Sequence, residues 1–323
     1  MIVRFGYVAL PLNLHNGSPN KTITYKRFTQ LPDKETQLYK LKSLVKENLD
    51  ATRRILIYNK AHDIMLYRFT SKLVPLVTHE EVFEWNYIDE FKAVYDVIGS
   101  YVKENNLRVS AHPDHFTVIN TPNQDIFRSS LKDLEYHANI FEAMNLSEKE
   151  AKLVLHVGGT YGNKEKSTVR FVEQFSEIDK KIRDRIILEN DDKSYTAKEV
   201  LKICKELSIP MVLDIHHHWC NSDGEKIENL LEDIFDTWRN EVQPPKIHAS
   251  SPKCLKQPKA HADFVDVSFL MEFINKAKDL DYDFDVMIEA KKKDDALFKL
   301  MEDLKLQDNI EILSGASIKY KTP

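Results

Sequence analysis

Cysteine is scarce in this 323-residue chain. Cys204, Cys220 and Cys254 are an odd number without CxxC spacing. That argues against a disulfide framework and a cysteine-held zinc, and it fits a reducing, intracellular setting. Glycine is sparse at 8 residues, and no Pro/Ser-rich hinge, low-complexity linker or internal repeat divides the chain. No apolar run approaches the ~18 residues of a membrane span. The N-terminal Met1–Leu10 is apolar but interrupted by Arg4, so it reads as a first strand rather than a signal peptide. A cationic excess is also missing. The net charge of −5 excludes a basic nucleic-acid coat, but not a local basic groove or a site whose positive charge comes from bound metal. No GxGxxG follows the first strand, which counts against an open dinucleotide-binding sheet.

Apolar residues make up 42% of the chain, with 16 Phe, 13 Tyr and 3 Trp, enough for a large core. Short apolar strands are read at 3–9, 64–69, 108–111, 153–157, 186–189, 211–215, 245–249 and 285–290. Helix-period segments lie between them at 34–62, 88–105, 125–145, 168–183, 196–207, 226–239, 268–279 and 294–304. Capping-box spacing marks Thr196-x-x-Glu199 and Ser147-x-x-Glu150, the second opening a very short segment. Strands apolar along most of their length suit parallel strands buried on both faces. Eight strand–helix units in series predict an α/β fold, a single (β/α)8 TIM barrel over residues 1–306. Residues 307–323 form a C-terminal tail expected to pack on the barrel or extend from it.

Six of the strands end in, or abut, a potential metal ligand: His112, His156, Glu189, Asp214, His248 and Glu289. A carboxylate ending an apolar run is costly unless something compensates it. In a barrel these strand ends surround one cavity at the C-terminal face, where such folds place their chemistry. One such residue reads as a hydrogen-bonded core group or a helix cap; six in register read as a shared metal site. Imidazole and carboxylate without thiolate suit Mn, Zn or Fe(II). Six ligands exceed what one catalytic zinc uses, so two or more ions are expected, with Glu189, mid-sequence among the ligands, as the bridge. Two divalent ions would outweigh Glu189, Asp214 and Glu289 and make the cavity cationic, suited to a phosphodiester. Beyond strand six, Asp214-Ile-His216-His217-His218 continues; His216 has the strand parity of Asp214, while His217 begins the loop. His217 and His261 are the candidates for a third ion.

A set of motifs then resembles a known family. It comprises Phe5-Gly-Tyr7, His62-x6-Phe69 with Tyr67-Arg68-Phe69 inside it, Ala111-His-Pro113 and His156-Val-Gly-Gly-Thr-Tyr-Gly-Asn-Lys164. It continues with Leu188-Glu-Asn-Asp-Asp192, Asp214-x-x-His217, Lys246-Ile-His-Ala-Ser-Ser-Pro-Lys253, His261-Ala-Asp and Met287-Ile-Glu-Ala-Lys291. In this order and spacing, over most of the chain, they resemble the UV damage endonucleases, DNA-repair nucleases related to endonuclease IV. The resemblance implies a TIM barrel carrying three divalent ions, manganese first, with Zn2+, Co2+ or Mg2+ as alternatives. It implies multi-metal-assisted nicking immediately 5′ of UV photoproducts and of some other lesions, leaving 3′-hydroxyl and 5′-phosphate ends.

Carried onto this sequence, the resemblance gives His112, His156 and Glu189 one ion. Glu189, Asp214, His248 and Glu289 hold a second; His217 and His261 hold the third. His62 corresponds to a histidine near the scissile phosphate, and Lys246 to a lysine that can be carboxylated beside the metals. With Glu189 these are the expected catalytic residues. His115 and Phe116 match a pair that probes the damage gap, with His115 where the family usually has Gln. Tyr7 is a candidate for the lesion pocket. Pro11 stands where some members carry Asn, and Asn13 follows. Lys164, Lys253 and Lys291 represent the loop lysines expected to grip the DNA backbone. The expected partner is damaged double-stranded DNA, with no membrane and no obligatory protein partner. A monomer is expected, cytoplasmic and nucleoid-associated if bacterial. Two enzymes compete with this reading, an endonuclease IV-like abasic-site nuclease and a metal-dependent sugar isomerase on the same barrel. A non-catalytic damage-binding protein is disfavoured by the complete ligand set.

Overall fold

A computed structural model describes residues 1–280 and 282–321. In chain order its strands are β1 (Ile2–Val8), β2 (Leu66–Phe69), β3 (Arg108–Ala111), β4 (Ala151–His156), β5 (Ile186–Glu189) and β6 (Met211–Asp214). They continue with β7 (Lys246–Ala249), β8 (Pro252–Cys254), β9 (Gln257–His261), β10 (Phe284–Ile288), β11 (Ile310–Ser314) and β12 (Ser317–Tyr320). Strands β1 to β7 and β10 pair in parallel, each with its sequence neighbour, and β10 closes on β1. Helices separate the successive barrel strands, so the fold is a TIM barrel. The strands are short and buried on both faces; β5, β6, β7 and β10 are buried at every position. Closure demands a close approach at Gly6, where a Cβ would come 2.5 Å from the Leu66 Cβ and carbonyl oxygen.

The C-terminal tail has a definite role in closure. β2 starts level with Gly6, which leaves the first half of β1 without a neighbour on that side. β12 fills the gap, pairing antiparallel with Ile2–Arg4, while Phe5 N–H donates to Ala316 O at 2.8 Å. The tail's last two residues, Thr322 and Pro323, lie outside the described residues.

The barrel floor is charged. Asp285 of β10, fully buried, accepts from Arg4 Nε and Nη2, both at 2.7 Å, and from Arg108 Nη1 at 2.6 Å. Trp238 lies under Arg108, 4.9 Å from its guanidinium, and packs on Val154, Ile187 and Val212. The interior is therefore plugged from below, and its chemistry opens only upward.

Three local expectations need correction. The segment 226–239 is not one helix but a 3-10 turn (Ile227–Asn229) and a short helix (Leu231–Asp236). Ser147 and Glu150 bond to each other as a capping box would, but only a turn follows. Strand six ends at Asp214, and a helix, Ile215–Cys220, begins at once. Strand parity beyond Asp214 therefore does not apply. One further pair of strands was not anticipated: β8 and β9 form a hairpin standing on the loop after β7.

Candidate metal centre

The C-terminal ends of β3 to β7 and β10 bring seven of the expected ligands together. Three groups can each hold an ion: His112, His156 and Glu189; Glu189, Asp214 and His217; Glu189, His248 and Glu289. Within each group the ligand atoms lie within 4.8 Å of one another, and Glu189 is common to all three. From the Glu189 carboxylate, His248 Nδ1 is at 3.0 Å, His112 Nε2 at 3.4 Å, His217 Nδ1 at 3.5 Å and His156 Nε2 at 3.9 Å.

These groups are buried yet unpaired. Both Glu189 oxygens, Asp214 Oδ2 and both His248 ring nitrogens lack a hydrogen-bond partner among the described residues. Burying such groups alone costs several kcal/mol each in an apolar reference, so the donor set fits cations. The electrostatics agree. Burial pushes the Asp214 carboxyl up to about 7, with the Glu189 and Glu289 charges adding to the effect against His217. Burial lowers His217, but Asp214, Glu189 and Glu289 outweigh it and raise the imidazole to about 9. Burial takes His248 down to about 4. Burial would raise Glu189, yet His248 and His156 hold it well below the usual carboxylate range.

Other partners fix the ring orientations. His112 Nδ1 faces Pro113 O at 2.9 Å and His156 Nδ1 faces Glu189 O at 3.3 Å, so each turns Nε2 toward the Glu189 carboxylate. The loop after β4 is held tightly: at Gly158 (φ 112°) a Cβ would meet Asn120 Oδ1 at 2.3 Å. Asp214 caps the helix that follows it, accepting from His217 N–H at 2.7 Å, which puts His217 on the metal side. His216 is turned away. Its two nitrogens meet Ser250 Oγ and Pro258 O, both at 2.7 Å, so it supports the β8–β9 hairpin. His261, at the end of β9, has its ring 6.1 Å from that of His217, with Nδ1 at 2.8 Å from Glu289 O.

Two residues near the ligands had no role assigned from sequence. Asn190 Nδ2 donates to Asp214 O at 3.0 Å, its Oδ1 accepts from Asp214 N–H at 2.9 Å, and its carbonyl faces His217 Nδ1 at 3.0 Å. Arg68 donates to Glu289 Oε1. Both stand inside quoted motifs, beside Glu189 and in Tyr-Arg-Phe, but nothing local tells which way they point.

The remaining candidates separate. Lys246 is buried two residues below His248 on the same strand face, and its Nζ donates to Ser110 Oγ at 2.8 Å. Burial, then Arg108 and Arg68, push its ammonium well below the ordinary range. His115 and Phe116 project from the loop after β3, Phe116 being 73% exposed, with ring centres 3.9 Å apart. Lys253 is exposed on the hairpin and Lys291 after β10, while Lys164 Nζ is held by both Glu199 oxygens, at 2.9 and 3.1 Å. Two expectations fail. His62 caps the helix Lys34–Ala61 and its ring packs at a tilt against Tyr58 and Phe298. It precedes β2, at the barrel end opposite the metal centre, because the helix must carry the chain back down before the next parallel strand begins. Tyr7 is fully buried and donates to Asn59 Oδ1 at 2.5 Å, which fixes it between β1 and the long helix rather than in an open pocket. Asn13, too, is taken: its amide donates to Asp294 and Asp295.

Comparison with known proteins bears on this site. A family model for the UV-endonuclease UvdE matches residues 3–321. A UV DNA damage endonuclease of Bacillus cereus (strain B4264) is 42% identical over 320 residues, covering 99% of this chain and all of that protein. One of Bacillus anthracis (strain A0248) is 41% identical over the same length. The crystal structure of SacUVDE superposes with a TM-score of 0.83 at 30% identity, covering 94% of this chain and 98% of that one. Endonuclease IV from Thermus thermophilus shares the fold, with a TM-score of 0.56 at 11% identity, covering 93% of this chain and 98% of that one. With the barrel, the unpaired ligand cluster and a match spanning nearly the whole sequence in agreement, the chain belongs to the UV-endonuclease UvdE family.

Proposed function

We propose that this DNA-repair endonuclease nicks duplex DNA immediately 5′ of UV photoproducts, leaving 3′-hydroxyl and 5′-phosphate ends. The observation that carries the reading is a buried Glu189 shared by three ligand groups, with both oxygens unpaired. His112, His156, Glu189, Asp214, His217, His248 and Glu289 would hold divalent ions, manganese first, with His261 completing a third site beside His217. When bound, such ions neutralise phosphate charge and acidify a water for hydrolysis. The chain's own residues do the rest. Asn190 orients Asp214 and His217, and Arg68 holds Glu289. Lys246, whose ammonium form is disfavoured by burial and the neighbouring arginines, is suited to carboxylation next to the centre. The exposed His115–Phe116 pair, its rings in tilted contact, would fill the gap left by an extruded lesion, and extrusion costs least where damage has weakened pairing. Lys253 and Lys291 would hold the backbone electrostatically. The protein acts as a monomer.

The test is an end-labelled, UV-irradiated duplex incubated with Mn2+ and wild type or Glu189→Gln, beside unirradiated and abasic duplexes. Cleavage at the bond 5′ of the photoproduct, absent with Glu189→Gln, is expected. A folded, metal-loaded protein that leaves photoproducts intact and cuts abasic sites would point to the endonuclease IV activity instead.

A further inference from the structure

We propose that a pocket beside the metal centre, lined by Trp219, Phe269 and the buried His218, takes an unpaired base of the opened DNA. The proposal rests on the nuclease reading above for the source of that base.

The helix Ile215–Cys220 has two working faces. His217 turns to the centre, with Nδ1 3.5 Å from the Glu189 carboxylate. Ile215, His218 and Trp219 instead line a cavity of about 350 Å3, shared with the loop that follows and with the helix Val267–Ala277. That volume lies at the small end of the range for ligand sites, about 300–1,000 Å3. Ile215 and Phe273, both buried, supply apolar lining. Trp219 is 49% exposed, and its ring meets that of Phe269 at 6.5 Å and 84°. The two rings make a corner, in which a flat ring laid on one presents its edge to the other. His218 is an independent sign. It is only 8% exposed, yet its Nδ1 has no hydrogen-bond partner among the described residues. A buried ring nitrogen left bare costs free energy that a bound polar edge recovers.

Charge narrows the ligand. Glu225 pairs with Lys198 at 2.7 Å, and Lys276 holds Glu272 at 2.7 Å and Glu228 at 3.4 Å. Lys226, also on the wall, matches three carboxylates with three ammoniums. A balanced pocket selects neither an anion nor a cation. What fits is neutral, flat and aromatic, with N–H and C=O groups on its rim, and DNA offers that as an unpaired base. The position agrees. The His216 ring stands between the two sites, 5.5 Å from the His261 ring and 6.1 Å from that of Trp219. A strand held over the centre is therefore within reach of the pocket, and a base leaves the duplex at least cost where damage has weakened pairing.

The first readout needs no turnover. The Mn2+-loaded protein is titrated with an unirradiated oligothymidylate octamer, beside an octamer whose nucleotides are all abasic, and tryptophan emission and anisotropy are followed. Trp219 is the most exposed of 3 tryptophans, so a base stacked on it quenches emission. Oligothymidylate should quench and the abasic octamer should not. Trp219→Ala should bind oligothymidylate about tenfold or more weakly. Tyr39→Ala, exposed on the long helix, should bind as wild type. His218→Gln keeps an amide where Nε2 stands and removes Nδ1, so it should weaken binding. His218→Asn keeps a polar atom at the Nδ1 position and should restore part of it. The second readout is steady-state nicking of a duplex with one placed photoproduct, where Trp219→Ala should raise KM and leave kcat nearly unchanged. Duplexes with an abasic nucleotide opposite the photoproduct, or beside it, assign the strand. The advantage of wild type over Trp219→Ala should vanish at one of these positions. Equal quenching by the abasic octamer, equal binding by Trp219→Ala and Tyr39→Ala, or an advantage that persists at both abasic positions overturns the pocket. Equal binding by His218→Gln and His218→Asn overturns the role of Nδ1. If wild type does not nick damaged DNA, the functional reading fails while the octamer titrations still decide the pocket.

Discussion

The two ends of this barrel handle buried charge in opposite ways. At the floor, one carboxylate, Asp285, is saturated by three hydrogen bonds from Arg4 and Arg108. At the top, Glu189, equally buried, sits among four imidazoles with neither oxygen hydrogen-bonded. Both carboxylates end in a protein interior that disfavours bare charge. The floor solves the problem with the chain's own cations, and that solution is structural. The top leaves it to be solved by something the chain does not encode, and that incompleteness makes a reactive site. Burial alone does not separate a stabilising charge from a functional one; the state of its partners does.

The largest effect expected from this contrast is on activity. Glu189→Gln should lower nicking by more than the roughly 100-fold that loss of an outer-shell partner costs, measured as single-turnover cleavage with Mn2+. Retention of most activity would mean that the bare Glu189 carboxylate is not functional. At the floor, Asp285→Ala strands two arginines and should cost about 3–5 kcal/mol of unfolding free energy. Urea denaturation checks this, and a loss below ~1 kcal/mol would mean the floor is not held by charge. Between these lies Asn190→Ala, whose side chain touches the ligands only through their backbone. It should weaken Mn2+ binding by about 10–100-fold, read by calorimetric titration, with little change in the melting of the metal-free protein.

The top should also be proton-linked where the floor is not. Asp214, at about 7, and His217, at about 9, hold protons that must leave before an ion binds. Mn2+ affinity should therefore rise with pH through that range, with protons released on binding. Titrations in two buffers of different ionisation enthalpy measure the release, and a pH-independent affinity would refute the linkage. The smallest effect belongs to the wet surface: Lys164→Ala breaks an exposed pair with Glu199 and should cost no more than about 1 kcal/mol in stability.

Much of this was legible beforehand. Strands that are apolar throughout and end in His, Asp or Glu announce parallel strands with one shared rim, because parity and burial are properties of a few consecutive residues. Glu189 as the common vertex followed from its middle position in that series. The failures share a different cause. His62 and Tyr7 stand in recognisable motifs, yet a motif does not say at which end of a strand a residue lies or which layer buries it. His216 shared parity with Asp214 only on paper, since Asp214 caps a helix and rotates the following residues. Arg68 and Asn190 were present in quoted motifs without a direction.

The barrel and the His and carboxylate chemistry of its rim were thus readable from the amino-acid order, because local apolar patterning dictates parallel strands and a closed barrel must gather their ends; most of the candidate ligands that the structure gathers around Glu189 had been named from it. Long-range packing settled which histidine of three consecutive ones faces Glu189, and that the tail completes β1. Those outcomes depend on contacts between segments far apart in the chain: His216 with Ser250 and Pro258, and β12 with β1.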